Sequence, residues 1–412
     1  MKKFVLFIFS LIIGLSMFCL CIHANGISIE MIDGASIRTG GTYQGLKFQA
    51  SANSNFNVSI EHGFYITTGV HSYDEMISAI NSKSSYVGSN KLIKKSTTGT
   101  DKDFAVTIYD IPKEEYGNTI TAIAYYVSSN VNYFSSICVS RDIADVAKNA
   151  YKNGLNDDFI LDIVENSRVK VIDTNLKTTY YKDLDEVVLK NGDDIYLDDY
   201  TYKAININKN DVSIYGLNKG ISGISNRSEE SIINGCIDIN SGVSNVLIDG
   251  VKINGTQAIR INGNSDNVSI VNNVLNYDNL GISDNNTASC QNNLMVKDNL
   301  FNASNTSYSK AINILGYVGD SLNISDNKFI SNTSVLNEND FEIKIDKFKN
   351  DTYVNIKSNE FNSYGANYII DLGYSMGLNG SIVEDNTYYV NIENNKMCED
   401  GKLLHGNGIR LS

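Results

Sequence analysis

The stretch VNIKSNEF (354–361) follows the pattern apolar-x-apolar-x-x-Asn-x-apolar, and this pattern returns along the second half of the chain. Clear copies are VSIVNNVL (268–275), LMVKDNLF (294–301), LNISDNKF (322–329), VNIKSNEF itself and VNIENNKM (390–397). Two earlier copies, VSIYGLNK (212–219) and VLIDGVKI (246–253), have Leu217 or Val251 where the Asn stands later. Repeats this short cannot bury their own apolar side chains, so the copies must stack on one another.

Each copy predicts one strand followed by a turn. Apolar residues two apart point to the same side of a strand, so Val268 and Ile270 face inward while Ser269 faces out. The Asn is expected to turn the chain, because Asn tolerates left-handed backbone angles. If each repeat is one coil, the Asn amides stack at about 4.8 Å and form a hydrogen-bonded ladder. The ladder residues are Asn273, Asn299, Asn327, Asn359 and Asn395.

A second strand precedes each copy of the pattern, so each coil is strand, turn, strand, turn and a variable loop. These second strands are AINI (204–207), CIDI (236–239), AIRI (258–261), AINI (311–314), EIKI (342–345), IIDL (369–372) and GIRL (408–411). Residue 281 or 283 takes the same role in the one weak coil. The chain stops at Ser412 inside a strand pattern, so either it is a fragment or a partner subunit covers that end.

This pattern resembles the right-handed parallel β-helix of the pectate-lyase-like superfamily over about residues 181–412. The resemblance implies a fold and not a reaction, because that superfamily includes lyases, hydrolases, adhesins and phage tail spikes. The predicted class is all-β, with a right-handed parallel β-helix at 168–412, an N-terminal β-sandwich module at 25–139 and a short helical cap at 140–167.

The first module shows alternating runs separated by Gly, Asn and Ser, which are typical of a sandwich. Its elements GASIRT (34–39), GLKF (45–48), Tyr116–Gly117 and SRDIADVAK (140–148) resemble a module of secreted Gram-positive surface proteins. Ser140 is the expected cap of a helix that Gly154 ends, and Asn156 starts a second short helix. We expect these helices to cover the first open coil, because an uncovered sheet end invites aggregation.

Residues 1–24 contain two lysines, then an apolar run, then Ala24, which is typical of a secretory signal peptide. An uncleaved membrane anchor is the other interpretation of this run. Cleavage changes the formal net charge from −13 to −15, because it removes two lysines and no acids. A chain this acidic repels phosphate and anionic lipid, so we expect a secreted or cell-surface protein with no nucleic-acid partner and no membrane insertion after cleavage.

The outward side chains of the second strands collect ionisable residues in one column. The column is Asn206, Asp238, Arg260, Gly281 or Ser283, Asn313, Lys344, Asp371 and Arg410. A polysaccharide lyase needs a base and a cation, often Ca²⁺, beside a uronate carboxylate. Arg260 or Lys344 is the candidate base, Asp238, Asn313 and Asp371 are candidate substrate-binding residues, and Ca²⁺ is a candidate cofactor whose ligands are not assigned.

Spacing separates the two candidate bases, because three coils between Arg260 and Lys344 correspond to about 14 Å. The pairs Asp238–Arg260 and Lys344–Asp371 lie on adjacent coils, so surface salt bridges are the competing interpretation. Aromatic rings stack on sugars, and tyrosines occur in or near the turns and loops. These are Tyr277, Tyr308, Tyr317, Tyr364 and Tyr374.

Four of the six cysteines, Cys138, Cys236, Cys290 and Cys398, lie outside the predicted signal peptide and have no close spacing, which favours small buried thiols over zinc ligands or disulfides. The first functional hypothesis is therefore a secreted or cell-surface β-helix protein that binds an extracellular, acidic polysaccharide, with β-elimination as its candidate reaction. The alternative is a non-enzymatic adhesin or structural surface protein that uses the β-helix as a rigid scaffold.

Overall fold

The computed structural model describes residues 26–53, 56–57, 59–97, 102–304, 309–331, 337–363, 366–373, 387–399, 402–403 and 407–411. The predicted signal peptide therefore lies outside the described residues. Internal contacts divide the chain into two units. The first runs up to Ile111 and includes Thr119–Leu155, and the second comprises Pro112–Asn118 and everything from Asn156 onward. Strands dominate both units, so the predicted all-β class is confirmed.

Antiparallel sheets make up the first unit. Its strands are β1 (Ile29–Met31), β2 (Ser36–Arg38), β3 (Gly45–Ala52), β4 (His62–Thr68), β5 (Tyr86–Val87), β6 (Asn90–Lys91), β7 (Ile93–Thr97), β8 (Asp103–Tyr109), β9 (Ile120–Ser128), β10 (Val131–Phe134) and β11 (Val139–Arg141). One sheet pairs β3 with β8 on one edge and with β1 and β2 on the other. The second pairs β9 with β4, β10 and β11, and adds β7 beyond β4.

Aromatic side chains from both sheets meet in the core of this unit. The rings of Phe64 on β4 and Phe104 on β8 have centroids 5.4 Å apart. His62 is buried beside them, its centroid 4.8 Å from that of Phe104. Its Nδ1 hydrogen-bonds the Ile60 carbonyl at 2.7 Å. Alternation of apolar and polar residues, the feature that predicted these strands, therefore places their apolar faces in one core.

A helix at Tyr73–Asn81 was not expected from the strand pattern. Its signal is nevertheless local, because Ser72 accepts from the Glu75 amide while the Glu75 side chain accepts from the Ser72 amide. Such a reciprocal capping box offsets the unsatisfied donors of a helix N-terminus. The sequence motif Ser-x-x-Glu was therefore enough to predict this helix.

The two helices expected between residues 140 and 167 are present at Ile143–Lys152 and Asp158–Glu165. Their caps are Asp142 and Asp157, whereas the sequence suggested Ser140 and Asn156. By internal contacts the first helix belongs to the first unit and the second helix to the second unit. Of the helices in the described part of the chain, none has the length and apolar character needed to cross a bilayer.

The second unit consists of one large, mostly parallel sheet that repeats along the chain and a separate two-stranded sheet formed by Cys398–Glu399 and Lys402–Leu403. Its strands are β12 (Val169–Ile172), β13 (Thr178–Tyr181), β14 (Asp194–Leu197), β15 (Thr201–Ile207), β16 (Ser213–Tyr215), β17 (Ile232–Asn240), β18 (Val243–Asp249), β19 (Lys252–Asn262), β20 (Ser265–Val271), β21 (Val274–Asp284), β22 (Cys290–Lys297), β23 (Leu300–Ala303), β24 (Lys310–Ser325), β25 (Lys328–Ser331), β26 (Asn337–Phe348), β27 (Thr352–Lys357), β28 (Glu360–Ser363), β29 (Ala366–Leu372), β30 (Tyr388–Glu393), β31 (Cys398–Glu399), β32 (Lys402–Leu403) and β33 (Asn407–Leu411).

Pairing in this unit links each strand to the equivalent strand of the next repeat. β12 is antiparallel to β13 and β14, and β31 is antiparallel to β32. From β14 onward the other pairings are parallel, for example β16 with β18 and β18 with β20. Each repeat therefore adds one level, here called a rung, and adjacent rungs are about 4.8 Å apart.

The Asn ladder forms as predicted. The Asn327 side chain donates to Asn359 Oδ1 at 3.0 Å and to the Val296 carbonyl at 2.9 Å. Equivalent amide-to-amide bonds of 2.9–3.1 Å join the other members. Four of these Asn side chains are buried, namely Asn273, Asn299, Asn327 and Asn359. The ladder thus satisfies turn backbone groups that the stack removes from water.

The turn itself works differently from the expectation. The ladder Asn residues do not adopt positive φ; the residue before each of them does. These residues are Asn272, Asp298, Asp326, Ser358 and Asn394, with φ of 55–59°. The left-handed residue takes the turn, and this leaves the following Asn free to point its amide inward.

Candidate functional site

The outward column of the second strands is one continuous ladder. The register pairs are Asn206–Asp238, Asp238–Arg260, Arg260–Ser283, Ser283–Asn313, Asn313–Lys344, Lys344–Asp371 and Asp371–Arg410. Ser283, and not Gly281, therefore occupies the rung that the sequence left open. Arg260 and Lys344 are three rungs apart, about 14 Å, so they cannot act on one bond.

Arg260 is held by Asp238 in a bidentate ion pair. Its Nε and Nη2 lie 2.6 Å and 2.9 Å from the two carboxylate oxygens. Hydrogen bonding of Arg260 to the Asp238 carboxylate raises the pKa of Arg260 above its ordinary value. A general base needs a pKa near the working pH, so this environment opposes proton abstraction by Arg260.

Lys344 and Asp371 do not form the ion pair expected from their adjacency. Lys344 Nζ lies 3.2 Å from Asp346 Oδ1, while Asp371 receives two 2.6 Å hydrogen bonds from Arg410. The expectation was wrong because a planar guanidinium matches a carboxylate better than an ammonium does. The flexible lysine instead reaches a carboxylate two residues along its own strand. Burial raises the pKa of Asp346.

The middle of this column is not an open groove. Ser283 and Asp371 are 0% exposed and Asn313 is 3% exposed. Ser283 Oγ and Asn313 Oδ1 have no hydrogen-bond partner among the described residues. The sequence placed these residues on an outward face, but a register cannot show what covers that face. Arg260, with 42% of its side chain exposed, remains accessible.

The tyrosines expected in loops have different environments. Tyr277 is buried in the core against Phe301, with ring centroids 6.5 Å apart. Tyr317 is half-buried and faces outward on a third face of the stack. Tyr308, Tyr364 and Tyr374 lie outside the described residues.

This third face lies at the start of the strands that carry the Asn pattern, just after the variable loops. Five residues at equivalent positions of successive rungs point inward and are buried: Val243, Ser265, Gln291, Val318 and Phe348. Their chain neighbours point outward and form two parallel columns. We call these columns, Gly242–Asn264–Cys290–Tyr317–Lys347 and Ser244–Asp266–Asn292–Gly319–Lys349, the Tyr317 groove.

Two lysines gather around Tyr317 at one end of the groove. Lys349 Nζ lies 4.5 Å and Lys347 Nζ 5.2 Å from the ring centroid. Lys347 also donates to the Thr287 carbonyl at 2.9 Å. No carboxylate of the described residues forms an ion pair with either lysine. This end is therefore a local positive patch on an acidic protein.

The other end of the groove is acidic and amide-rich. This part of the groove is a cavity of ≈ 450 Å³, which Asn264, Asp266, Asn292 and Lys349 help to line and which Tyr317 and Lys347 do not. Asp266 Oδ1 accepts from the Asn293 side chain at 3.2 Å. Gly319 has no side chain to fill the floor, and an added Cβ would lie 2.4 Å from Asn292 Oδ1. The glycine thus leaves room for the side chains of Asn292, Cys290 and Lys349, which pack over it.

Sequence reasoning missed Lys347 and Lys349. Their signal was the run Lys347–Phe348–Lys349, in which an apolar residue between two lysines has the period of a strand. This run follows the second strand of its repeat and precedes the Asn pattern, so it fell in the part assigned to a variable loop.

Metal binding has no obvious location in the described residues, where no group of three His, Cys, Asp or Glu side chains is arranged around a common point. Cys138, Cys236 and Cys290 are free and partly buried. Desolvation raises the pKa of the Cys236 thiol to about 12, so this thiol is not a reactive nucleophile.

Comparison with known proteins finds no matching family model, no matching curated protein and no matching solved structure.

Proposed function

We propose that residues 168–412 form a right-handed parallel β-helix of the pectate-lyase-like type, and that this secreted or cell-surface protein binds an acidic polysaccharide without cleaving it. The parallel pairing of successive rungs supports the β-helix, and crossover connections between parallel strands are right-handed in about 98% of cases. The predicted signal peptide supports the location outside the cell.

The observation that carries the binding proposal is the pair of lysines at Tyr317, which have no ion-pair partner in the described chain. The protein has a formal net charge of −13, so this positive patch stands out from an acidic surface. It offers a binding site for a carboxylate or a sulfate. The Tyr317 ring holds both ammonium groups near its face, which lowers the entropy lost when they bind an anion.

The protein is not expected to cleave the polymer, because both candidate bases are ion-paired. Arg260 is fixed by Asp238 and Lys344 by Asp346. A β-eliminating enzyme would require one of these groups to lose its proton beside an acid that favours the protonated form.

Binding is tested by titrating the full chain with glycosaminoglycan, pectate and alginate in a calorimeter at low salt. We expect Lys347→Gln/Lys349→Gln to weaken binding about tenfold, since two cations are removed. Lys297→Gln, on another face and paired with Asp298 at 3.6 Å, is the matched control. Tyr317→Phe should retain binding and Tyr317→Leu should weaken it. Equal affinity of the double variant and the control would refute the proposed site.

Catalysis is tested in parallel by the ultraviolet absorbance of unsaturated uronate. We expect no increase with any of the three polymers, with or without Ca²⁺. An increase that Arg260→Ala or Lys344→Ala abolishes would contradict the non-catalytic proposal.

The continuous ladders favour a second candidate, a non-enzymatic adhesin or structural surface protein with the β-helix as a rigid scaffold. The rings of Phe301, Phe329 and Phe361 stack at 4.7 Å spacings alongside the buried Asn ladder. A glycan array without any binding would favour this scaffold role over polysaccharide binding.

A further inference from the structure

The two ends of the Tyr317 groove carry opposite charges. Lys347 and Lys349 lie at one end, and the backbone of Asp266 lies in the same column as that of Lys349, three rungs or about 14 Å away. The Lys349 side chain also lines the cavity that Asp266 lines, whereas Lys347 and Tyr317 lie outside it. The rungs between them contribute Cys290, Asn292 and Gly319, none of which is charged. The groove thus has a fixed direction along the stack.

This polarity discriminates between acidic polymers. A homopolymer of uronates that crossed all these rungs would place one carboxylate at the lysines and another beside Asp266. The first contact is attractive and the second is repulsive, because like charges at close range disfavour binding even in a high-dielectric surface site. A neutral sugar at the second position would instead offer hydroxyl donors to the carboxylate.

The polar groups at the acidic end suit such a neutral sugar. Asp266 has acceptor oxygens, and the exposed Asn264 carries an amide whose Oδ1 accepts from the Cys290 backbone at 2.8 Å. The Asn264 Nδ2 group and the Asp266 carboxylate therefore present a donor and an acceptor side by side, and a sugar hydroxyl can pair with both kinds of group.

We propose that the Tyr317 groove recognises an acidic heteropolysaccharide in which charged units alternate with neutral ones. The chain lies across the rungs in one direction, with an acid group at Lys347 and Lys349 and a neutral unit at Asn264 and Asp266. This inference rests on the proposed function, since it names the polymer class that the same groove selects.

The test compares two polymers of matched length against the full chain at low salt. Hyaluronan oligosaccharides alternate uronate and neutral hexosamine, and oligogalacturonates carry an acid on each unit. We expect hyaluronan oligosaccharides to bind about fivefold more tightly. We expect Asp266→Asn to tighten oligogalacturonate binding and to remove that preference, because the repulsive carboxylate becomes a neutral amide. Asn355→Ala, which changes a half-buried outward side chain on β27, serves as the control for nonspecific effects.

The outcomes separate the inference from the proposed function. If Lys347→Gln/Lys349→Gln weakens both polymers but Asp266→Asn leaves their ratio unchanged, the polarity inference is overturned and groove binding stands. If neither polymer binds, the proposed function is overturned as well. Circular dichroism of each variant verifies that a loss of binding is not a loss of fold.

Discussion

Removing one buried Asn of the ladder should cost far more stability than removing an outward Asn of the strand that precedes it. Asn327 is 1% exposed, and its Nδ2 donates to the Val296 carbonyl at 2.9 Å and to Asn359 Oδ1 at 3.0 Å. Its Oδ1 accepts from the backbone and side-chain nitrogens of Asn299 at 2.9 Å and 3.0 Å. The variant Asn327→Ala removes all four of these hydrogen bonds.

The expected loss in the free energy of unfolding depends on which hydrogen bonds the partners of Asn327 retain. The Asn299 side chain still donates to the Ile270 carbonyl at 2.8 Å, and Asn359 Oδ1 still accepts from the Asn327 backbone at 3.0 Å. The Asn299 backbone N–H loses the partner that it has in the ladder. One orphaned donor costs about 1–3 kcal/mol, and each other lost hydrogen bond costs about 0.5–1.5 kcal/mol. We therefore expect Asn327→Ala to lower the free energy of unfolding by about 4 kcal/mol.

The matched control is Asn323→Ala in β24, the strand that precedes the turn at Asn327. Asn323 is half-buried on the outward face, and its Oδ1 accepts from the Asn355 side chain at 3.1 Å. Its loss should cost about 0.5 kcal/mol. Urea unfolding is followed by circular dichroism and tyrosine fluorescence, because the chain has no Trp. Midpoint and m-value are both needed, since a repeat array can unfold in segments. A difference of less than about 1 kcal/mol between the variants would refute the ladder argument.

Three further predictions concern packing and pH. Phe329→Leu should cost about 2 kcal/mol in urea unfolding, because the ring loses two stacked neighbours, and an unchanged midpoint would contradict this. Burial raises the pKa of Asp346 above its ordinary 3.8, so its contribution to stability is present at low pH and is lost as pH rises through the raised value. Asp346→Asn should therefore gain stability relative to wild type from acid to neutral pH; a constant difference would refute the burial effect. The hydrogen bond from Lys328 lowers the pKa of Glu360 below its ordinary 4.5, so its contribution is present above 4.5 and is lost as pH falls through the lowered value. Glu360→Gln should thus be less stable than wild type at neutral pH and approach it in acid, as measured by thermal unfolding in matched buffers.

The inward register was predictable residue by residue because a slip of one residue would turn every buried side chain outward. Val268 and Ile270 are buried as the pattern requires, and the same register placed Asp238, Arg260 and Lys344 in one ladder. The Asn ladder was predictable for the same reason, since equal positions in a parallel stack meet directly.

The strand register could not predict which partner a side chain contacts or whether an outward side chain is buried. The pairing of Asp371 with Arg410 depends on guanidinium geometry, and Asn313 is buried although its register places it on the outward side of its strand. The left-handed residue before each ladder Asn was also missed, because Asn, Asp and Ser at that position share a turn preference with the Asn that follows.

In a stack of parallel rungs, a charge in a column has a neighbour about every 4.8 Å on either side, so opposite charges in adjacent rungs neutralise one another. This is the state of the outward column, where Asp238 pairs with Arg260 and Asp371 with Arg410. A column can present charge to a ligand only where its neighbouring rung offers no counter-ion. On the side of the preceding rung Lys349 meets this condition, because that rung carries Gly319, which has no side chain to pair with it. The position of the binding patch is thus set by a small residue in the ladder as much as by the lysine itself.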